Sequence, residues 1–422
     1  MKKQESKYRW VVFGSVLFVY LLIVSQRTAP GLITDQLMKQ FNVSASMIGL
    51  LTSVQFFAYA ALQIPVGILS DRFGPNLFLI WGALLSGLGT FFYSMATNEW
   101  ILLLGRLLAG IGDAAIWINL VLILSQWFKV KEFVGLLGIA GMIGSIGSLF
   151  ASFPFSAWIT LSGWRTPFMV MGIILCLSSA FLYIILVKKP KQTLILTSAK
   201  NESNQEKTSA LLRRIFFDRR AWAAFLCHFS VVGTYVGFIG SWAAPYGMHV
   251  YGMTRSSASQ LIMVGLIGAF IGSPLSSWLV NRLGSIRRPY MIFHLMICMG
   301  WTAFFLFGGK PPVFILFILF LILGFGNGAN PLTFAVVRQS FPTHEVGRVS
   351  GFANTGGFLS AILLPAIFGK VLDHFQASGS QVGYHYGFII PVVFSICGLV
   401  GGLLIKEQRV EEKKVVVEKV AL

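Results

Sequence analysis

Residues 67–74 read Gly-Ile-Leu-Ser-Asp-Arg-Phe-Gly, and residues 277–284 read Ser-Trp-Leu-Val-Asn-Arg-Leu-Gly. Each short polar signal closes a long apolar run, and the constant offset of 210 residues makes them counterparts in a duplicated chain. Between them lies a long polar stretch, residues 188–220, which divides the apolar runs six and six. These runs fall near residues 11–36, 46–68, 77–96, 100–126, 133–157 and 165–187, then 221–244, 257–281, 289–309, 312–338, 347–371 and 384–405. About 20 apolar residues in a helix cross the roughly 30 Å of a bilayer's hydrocarbon, so each run is long enough to span. With 55% apolar and 11% charged residues and a mean hydropathy of +0.75, too little polar surface remains to cover a water-soluble globule. The expected fold is an all-α membrane protein of 12 transmembrane helices in two pseudo-symmetric six-helix halves. Residues 1–187 form the N-terminal bundle, 188–220 a cytoplasmic linker, and 221–422 the C-terminal bundle with its tail.

A net charge of +18 raises the question of a nucleic-acid partner, and the placement of the basic residues answers it. Of 33 Lys and Arg, 26 fall in the tails, the linker and the loops on one face. Four, Lys39, Arg165, Arg255 and Lys310, fall on the other, and Arg27, Arg106 and Lys370 lie within or at the ends of spans. This asymmetry follows the positive-inside rule, placing both termini in the cytoplasm of a multi-pass protein of the cell inner membrane and excluding nucleic acid. The N-terminal residues run into the first span without a small-residue cleavage site, as expected of a retained helix. Cys176, Cys227, Cys298 and Cys397 stand singly in separate spans, so packing is expected rather than disulfides, a metal site or a cofactor.

Duplicated halves are how many secondary transporters are built, with the solute bound near the midplane and exposed alternately to either side. A channel does not require the duplication. No HExxH, GxSxG or phosphate-loop motif points to an enzyme. A nutrient sensor on a carrier fold stays open at this point.

The 67–74 loop resembles the signature between the second and third helices of the major facilitator superfamily. Gly67, Asp71, Arg72 and Gly74 fit it, whereas Pro75 and Asn76 stand where that signature carries basic residues. The resemblance implies that Asp71 and Arg72 help hold the cytoplasmic side shut, with Gly67 and Gly74 shaping the loop and Arg282 as the second-half counterpart. The alternative is a solvated turn with Gly74 as a helix C-cap.

In span four, Arg106-Leu-Leu-Ala-Gly110-Ile-Gly112-Asp113 is similar to the family's fourth-helix pattern. Seven residues apart, Arg106 and Asp113 share a helix face about 10 Å apart, too far to pair directly but able to line one cavity. A charge at that depth is costly unless paired or hydrated, so a functional placement is the default. With Arg27 inside a first helix read from Trp10 to about Asp35, the pattern looks like the anion:cation symporters, the organic-anion branch of the superfamily. That resemblance implies that Arg27 binds a substrate carboxylate while Asp113, with Arg106 on its face, takes the coupling proton. A guanidinium's fork of donors suits a carboxylate. Gln26 stands where some members carry an acid, and Asp113 where glutamate is more usual. The alternative is that Arg27 and Asp113 only neutralise each other.

In the second half, His228, Tyr235 and Trp242 recur at intervals of seven on one face of span seven. Depth along the helix assigns His228 a polar cap or inner-gate role and makes Tyr235 a cavity candidate. Span ten carries Gly324, Gly326, Asn327, Gly328, Asn330 and Pro331, predicting a bend whose asparagines donate to substrate oxygens or hydrogen-bond between helices. Asn354 is a weaker case of the same kind. Gly138, Gly141, Gly144 and Gly147 in span five predict a flat face for close helix approach, with no proline before Pro154 to suggest drug efflux. The reading is a monomeric secondary carrier importing a small organic anion with protons. The alternatives are a drug or metabolite exporter, or an importer of amino acids, nucleosides or a carboxylate-type siderophore.

Overall fold

The apolar runs are helices in the computed structural model, which describes residues 7–43, 45–188, 208–375, 377 and 379–406. The first half contains α1 (Tyr8–Thr28), α2 (Ala45–Phe73), α3 (Pro75–Ser94), α4 (Glu99–Trp127), α5 (Val130–Phe150) and α6 (Arg165–Tyr183). The second contains α7 (Arg219–Ser241), α8 (Arg255–Leu283), α9 (Arg287–Leu306), α10 (Val313–Asn327), α11 (Val346–His374) and α12 (Ile389–Leu404). Eleven helical stretches among the described residues are long and apolar enough to cross a membrane. The 29-residue α2 takes the twelfth place, packed between α4 and α11.

Local chemistry sets the helix ends. Asn98 accepts from the Ile101 N–H at 3.0 Å to start α4, and Asp218 accepts from the Arg220 N–H at 2.7 Å to start α7. Gly74 (φ 87°) and Gly284 (φ 61°) occupy the same place after the second helix of each half, in a backbone region other residues avoid. Several spans depart from a continuous α-helix, the first and the tenth most clearly. The first was expected to run to about Asp35, but α1 ends at Thr28, and the chain passes through a 3-10 turn at Ala29–Leu32 before a short helix, Thr34–Phe41. Pro30 lacks the N–H that would continue α1. Span ten shows the expected bend as a break: α10 stops at Asn327 and resumes as Leu332–Ser340 after the turn ending in Pro331. Residues 208–217 of the linker form a helix, Thr208–Phe217, held by an Arg214–Glu345 ion pair at 2.6 Å.

The buried run Ile116–Leu124 puts α4 at the centre of its half, while α3, α6, α9 and α12 turn Trp81, Leu177, Met299 and Leu403 outward, as a lipid-facing surface requires. The halves meet at the face carrying Arg72, Lys129, Arg282 and Arg348, called here the linker side. There α2 packs on α11 and α5 on α8. The contacts need small residues: a Cβ on Gly67 would lie 2.4 Å from the Gly347 carbonyl oxygen, and one on Gly138 2.4 Å from Ser277 Oγ. The α5 glycine stripe serves two partners, Gly138 and Gly141 facing α8 while Gly144 and Gly147 face Tyr20 and Leu21 of α1.

Within the second half, α8 and α10 approach so closely that a Cβ on Gly324 would sit 1.9 Å from the Gly265 carbonyl oxygen. Gly324→Ala should therefore lower the thermal midpoint of the purified protein, at an overpacking cost of about 1–3 kcal/mol. Gly14→Ala, at a site open on all sides, should leave it unchanged or slightly higher. Equal midpoints for the two variants would contradict this packing.

Candidate functional site

Asp113 lies at the centre of the first half with a fully buried carboxylate. Bilayer hydrocarbon offers it no water, so its lone pairs must be met by protein donors. Four side chains meet them. Gln26 Nε2 donates to Oδ1 at 3.0 Å and to Oδ2 at 3.3 Å. Gln55 Nε2 donates to Oδ2 at 2.9 Å, Ser86 Oγ donates to Oδ1 at 2.9 Å, and Arg27 Nε donates to Oδ2 at 3.1 Å. α1, α2 and α3 thus all converge on one residue of α4.

Only one nitrogen of Arg27 is used this way. Among the described residues, no hydrogen bond engages its two terminal nitrogens, and its side chain keeps 18% of its surface accessible where that of Asp113 has none. The guanidinium carbon stands 4.8 Å from the centre of the Tyr59 ring, a cation–π contact that fixes the plane of the fork. The break at Pro30 puts Arg27 in the last turn of α1. Chemically, this is a cation whose terminal pair of donors suits an anion, backed by a carboxylate.

Arg106, one face along from Asp113, does not join this cluster. It is buried against the Tyr93 ring at 5.6 Å, and its Nε has no hydrogen-bond partner among the described residues. Tyr235 is buried in the contact of α7 with α8, its hydroxyl over Gly265 and unpartnered among the described residues. Asn327 and Asn330 flank the break in span ten, each with a buried carbonyl oxygen lacking a partner among the described residues. His228 is buried at the interface of the halves, Nε2 at 2.9 Å from Asn354 Oδ1 and Nδ1 at 2.9 Å from Thr333 Oγ1.

At the linker side, Asp71 caps the first turn of α11 across the interface. Its Oδ1 accepts from the Gly347 N–H at 2.8 Å, and its Oδ2 from the Arg348 N–H at 2.8 Å and Arg348 Nε at 3.0 Å. An anion is favoured at a helix N-terminus, and the ion pair adds to that. Gly67 makes room for the approach, and a Cβ on Gly347 would meet the Asp71 carboxylate itself. Arg72 is exposed over the Phe73 ring and Arg282 is exposed; the basic partner of Asp71 is Arg348 of the other half. In the second-half counterpart, neutral Asn281 faces Gly135 of α5, and Ser273 Oγ donates to the Gly138 carbonyl at 2.9 Å.

Sequence reading missed Gln26 as a partner, Gln55, Tyr59 and Ser86. Gln55, Tyr59 and Gln63 recur every four residues along one face of a membrane helix, and that spacing was a usable signal.

Comparison with known proteins agrees with this architecture. The family model described as Major Facilitator Superfamily matches residues 16–365 and, in a second match, 295–420. The chain is 23% identical to the D-galactonate transporter of Escherichia coli, covering 95% of each chain. It is 24% identical to the probable sulfoacetate transporter SauU of Cupriavidus necator, over 90% of this chain and 93% of that one. Among solved structures, the superfamily transporter FucP in its outward conformation superposes with a TM-score of 0.76 at 18% identity, over 95% of this chain and 100% of that one. With two six-helix halves closed on each other at the linker side and a family match over most of its length, the chain belongs to the major facilitator superfamily of transporters.

Proposed function

We propose that the protein imports a small organic anion bearing a carboxylate, driven by protons, by alternating access of one monomer. The observation that carries this is Arg27: a largely buried guanidinium that keeps 18% of its side chain accessible, tied to Asp113 by one nitrogen and with its terminal pair unused among the described residues. A carboxylate can take both terminal nitrogens at once, a bidentate geometry that supplies energy and orientation together. The relatives named for D-galactonate and sulfoacetate handle small organic anions, in keeping with that chemistry.

Coupling follows from the shared charge. With Asp113 ionised, Arg27 is partly neutralised; with Asp113 protonated, its full positive charge is available to the anion. Proton and anion therefore favour each other's binding, as symport requires. Asn327 and Asn330 are the second-half candidates for the solute's hydroxyl groups. The excess of basic residues assigns the linker side to the cytoplasm of an inner membrane, so closure by Asp71 leaves the site open to the outside, ready to load.

Arg27→Lys keeps the charge but loses the fork. Its KM for the transported carboxylate in proteoliposome uptake should rise about tenfold or more, roughly 1.4 kcal/mol; an unchanged KM would remove Arg27 from the solute. Asp113→Asn should abolish proton-driven accumulation while solute exchange persists. A variant that loses exchange and thermal stability together would instead mark Asp113 as purely structural. Asp71→Asn keeps one acceptor oxygen for the cap but loses the other, the charge at the helix N-terminus and the ion pair, about 1–2 kcal/mol, and should raise the population open at the linker side roughly 5–30-fold. Distances between spin labels placed on α2 and α11 would report it, and an unaltered distribution would sink the gating role.

A further inference from the structure

The polar network below Tyr59 is oriented by Gln63 and ends on His228. Gln63 Nε2 donates to two backbone carbonyls, of Tyr59 at 3.1 Å and of Ala114 at 3.4 Å, which fixes its amide and turns Oε1 toward α11. Asn354 must meet that oxygen with Nδ2, which also donates to the Tyr59 hydroxyl at 3.1 Å. Its Oδ1 therefore faces His228 as an acceptor, and the imidazole must donate from Nε2. Nδ1 of a neutral ring then accepts from Thr333, whose oxygen accepts in turn from the Tyr290 hydroxyl at 2.6 Å. With His228 neutral and protonated on Nε2, both ring nitrogens, the Asn354 amide and Thr333 are all partnered. The ring is also wedged in place: a Cβ on Gly357 would meet it at 2.6 Å, and Phe334 packs edge-on at 5.2 Å.

Tyr59 and Gln63 belong to the first half; Asn354, His228, Thr333 and Tyr290 belong to the second. We propose that His228 is a positioning residue for the inner gate: its Nε2–H holds the Asn354 amide so that Nδ2 donates across the interface to Tyr59 and Gln63, latching the halves beneath Arg27. Without that donor the Asn354 amide can turn over. Its carbonyl would then oppose Gln63 Oε1, two acceptors face to face in a buried site, and the closed linker side would lose stability. Thr333 and Tyr290 hold the ring from behind. The latch is separate from the Asp71 cap. It also joins the gate to the solute site, because the tyrosine that receives Asn354 is the one under the Arg27 guanidinium.

The inference rests on the alternating-access reading but not on the solute or its driving ion, so it is tested without either. Ser277, buried at the contact of α8 with Gly138, is changed to cysteine in full-length protein with Cys176, Cys227, Cys298 and Cys397 replaced by alanine. Its labelling rate with a maleimide reports linker-side opening. His228→Asn places its amide near Nδ1 and cannot reach Asn354; it should raise the rate about three- to tenfold, the population change expected for one or two ordinary hydrogen bonds. His228→Gln, whose amide reaches the position of Nε2, should label near the parent rate. Equal rates for the two variants would overturn the proposal. A second pair guards against misfolding of either: Tyr59→Phe with Gln63→Met should raise labelling by itself and make His228→Asn silent. A full additional effect of His228→Asn in that background would show that it acts elsewhere.

Discussion

A carboxylate buried among membrane helices must be supplied with donors by the protein itself, and the first half is arranged around that requirement. Asp113 draws Gln26 and Arg27 from α1, Gln55 from α2 and Ser86 from α3. Breaking such a pair by removing one partner typically costs about 3–5 kcal/mol, because the remaining charge is stranded. The helices are thus held in register by one buried group, and Arg27, tied to it through Nε alone, keeps its two terminal nitrogens outside that cluster among the described residues.

The duplicated halves divide the remaining work unequally. Charge at depth sits in the first half, in Arg27, Arg106 and Asp113, whereas the second half contributes a neutral network built on His228, Asn354, Thr333 and Tyr290. The same inequality appears where the halves touch. On one side Asp71 caps α11 with charge; on the other, serines of α8 meet the glycines of α5 without it. Closure at the linker side therefore combines one charged contact, the neutral donations from Asn354 and two close-packed small-residue seams.

Much of this was legible in the sequence because hydrophobic length, the 210-residue repeat and the placement of basic residues are direct consequences of the bilayer as solvent. Arg27 and Asp113 stood out for the same reason, as charges where charge is expensive. What was not legible were partners brought together by tertiary packing: Gln26, Gln55 and Ser86 are neutral, and they reach Asp113 across 87, 58 and 27 residues of chain. Arg348 counted only as one more basic loop residue until its contact with Asp71 was seen. The early end of α1 was readable in principle from Pro30, but continuing apolar residues masked it.

Thermal stabilisation of the purified protein across carboxylates, phosphate esters, amino acids, nucleosides and cationic drugs, at two pH values, bears most directly on Arg27 as the anion site. A ligand at 100 times its Kd adds about 2.7 kcal/mol to the folded state, well within reach of a melting curve. Anion binding at Arg27 predicts stabilisation by a subset of carboxylates, larger at the lower pH and absent in Arg27→Ala. Stabilisation confined to neutral or cationic compounds, or by carboxylates equally in Arg27→Ala, would contradict it.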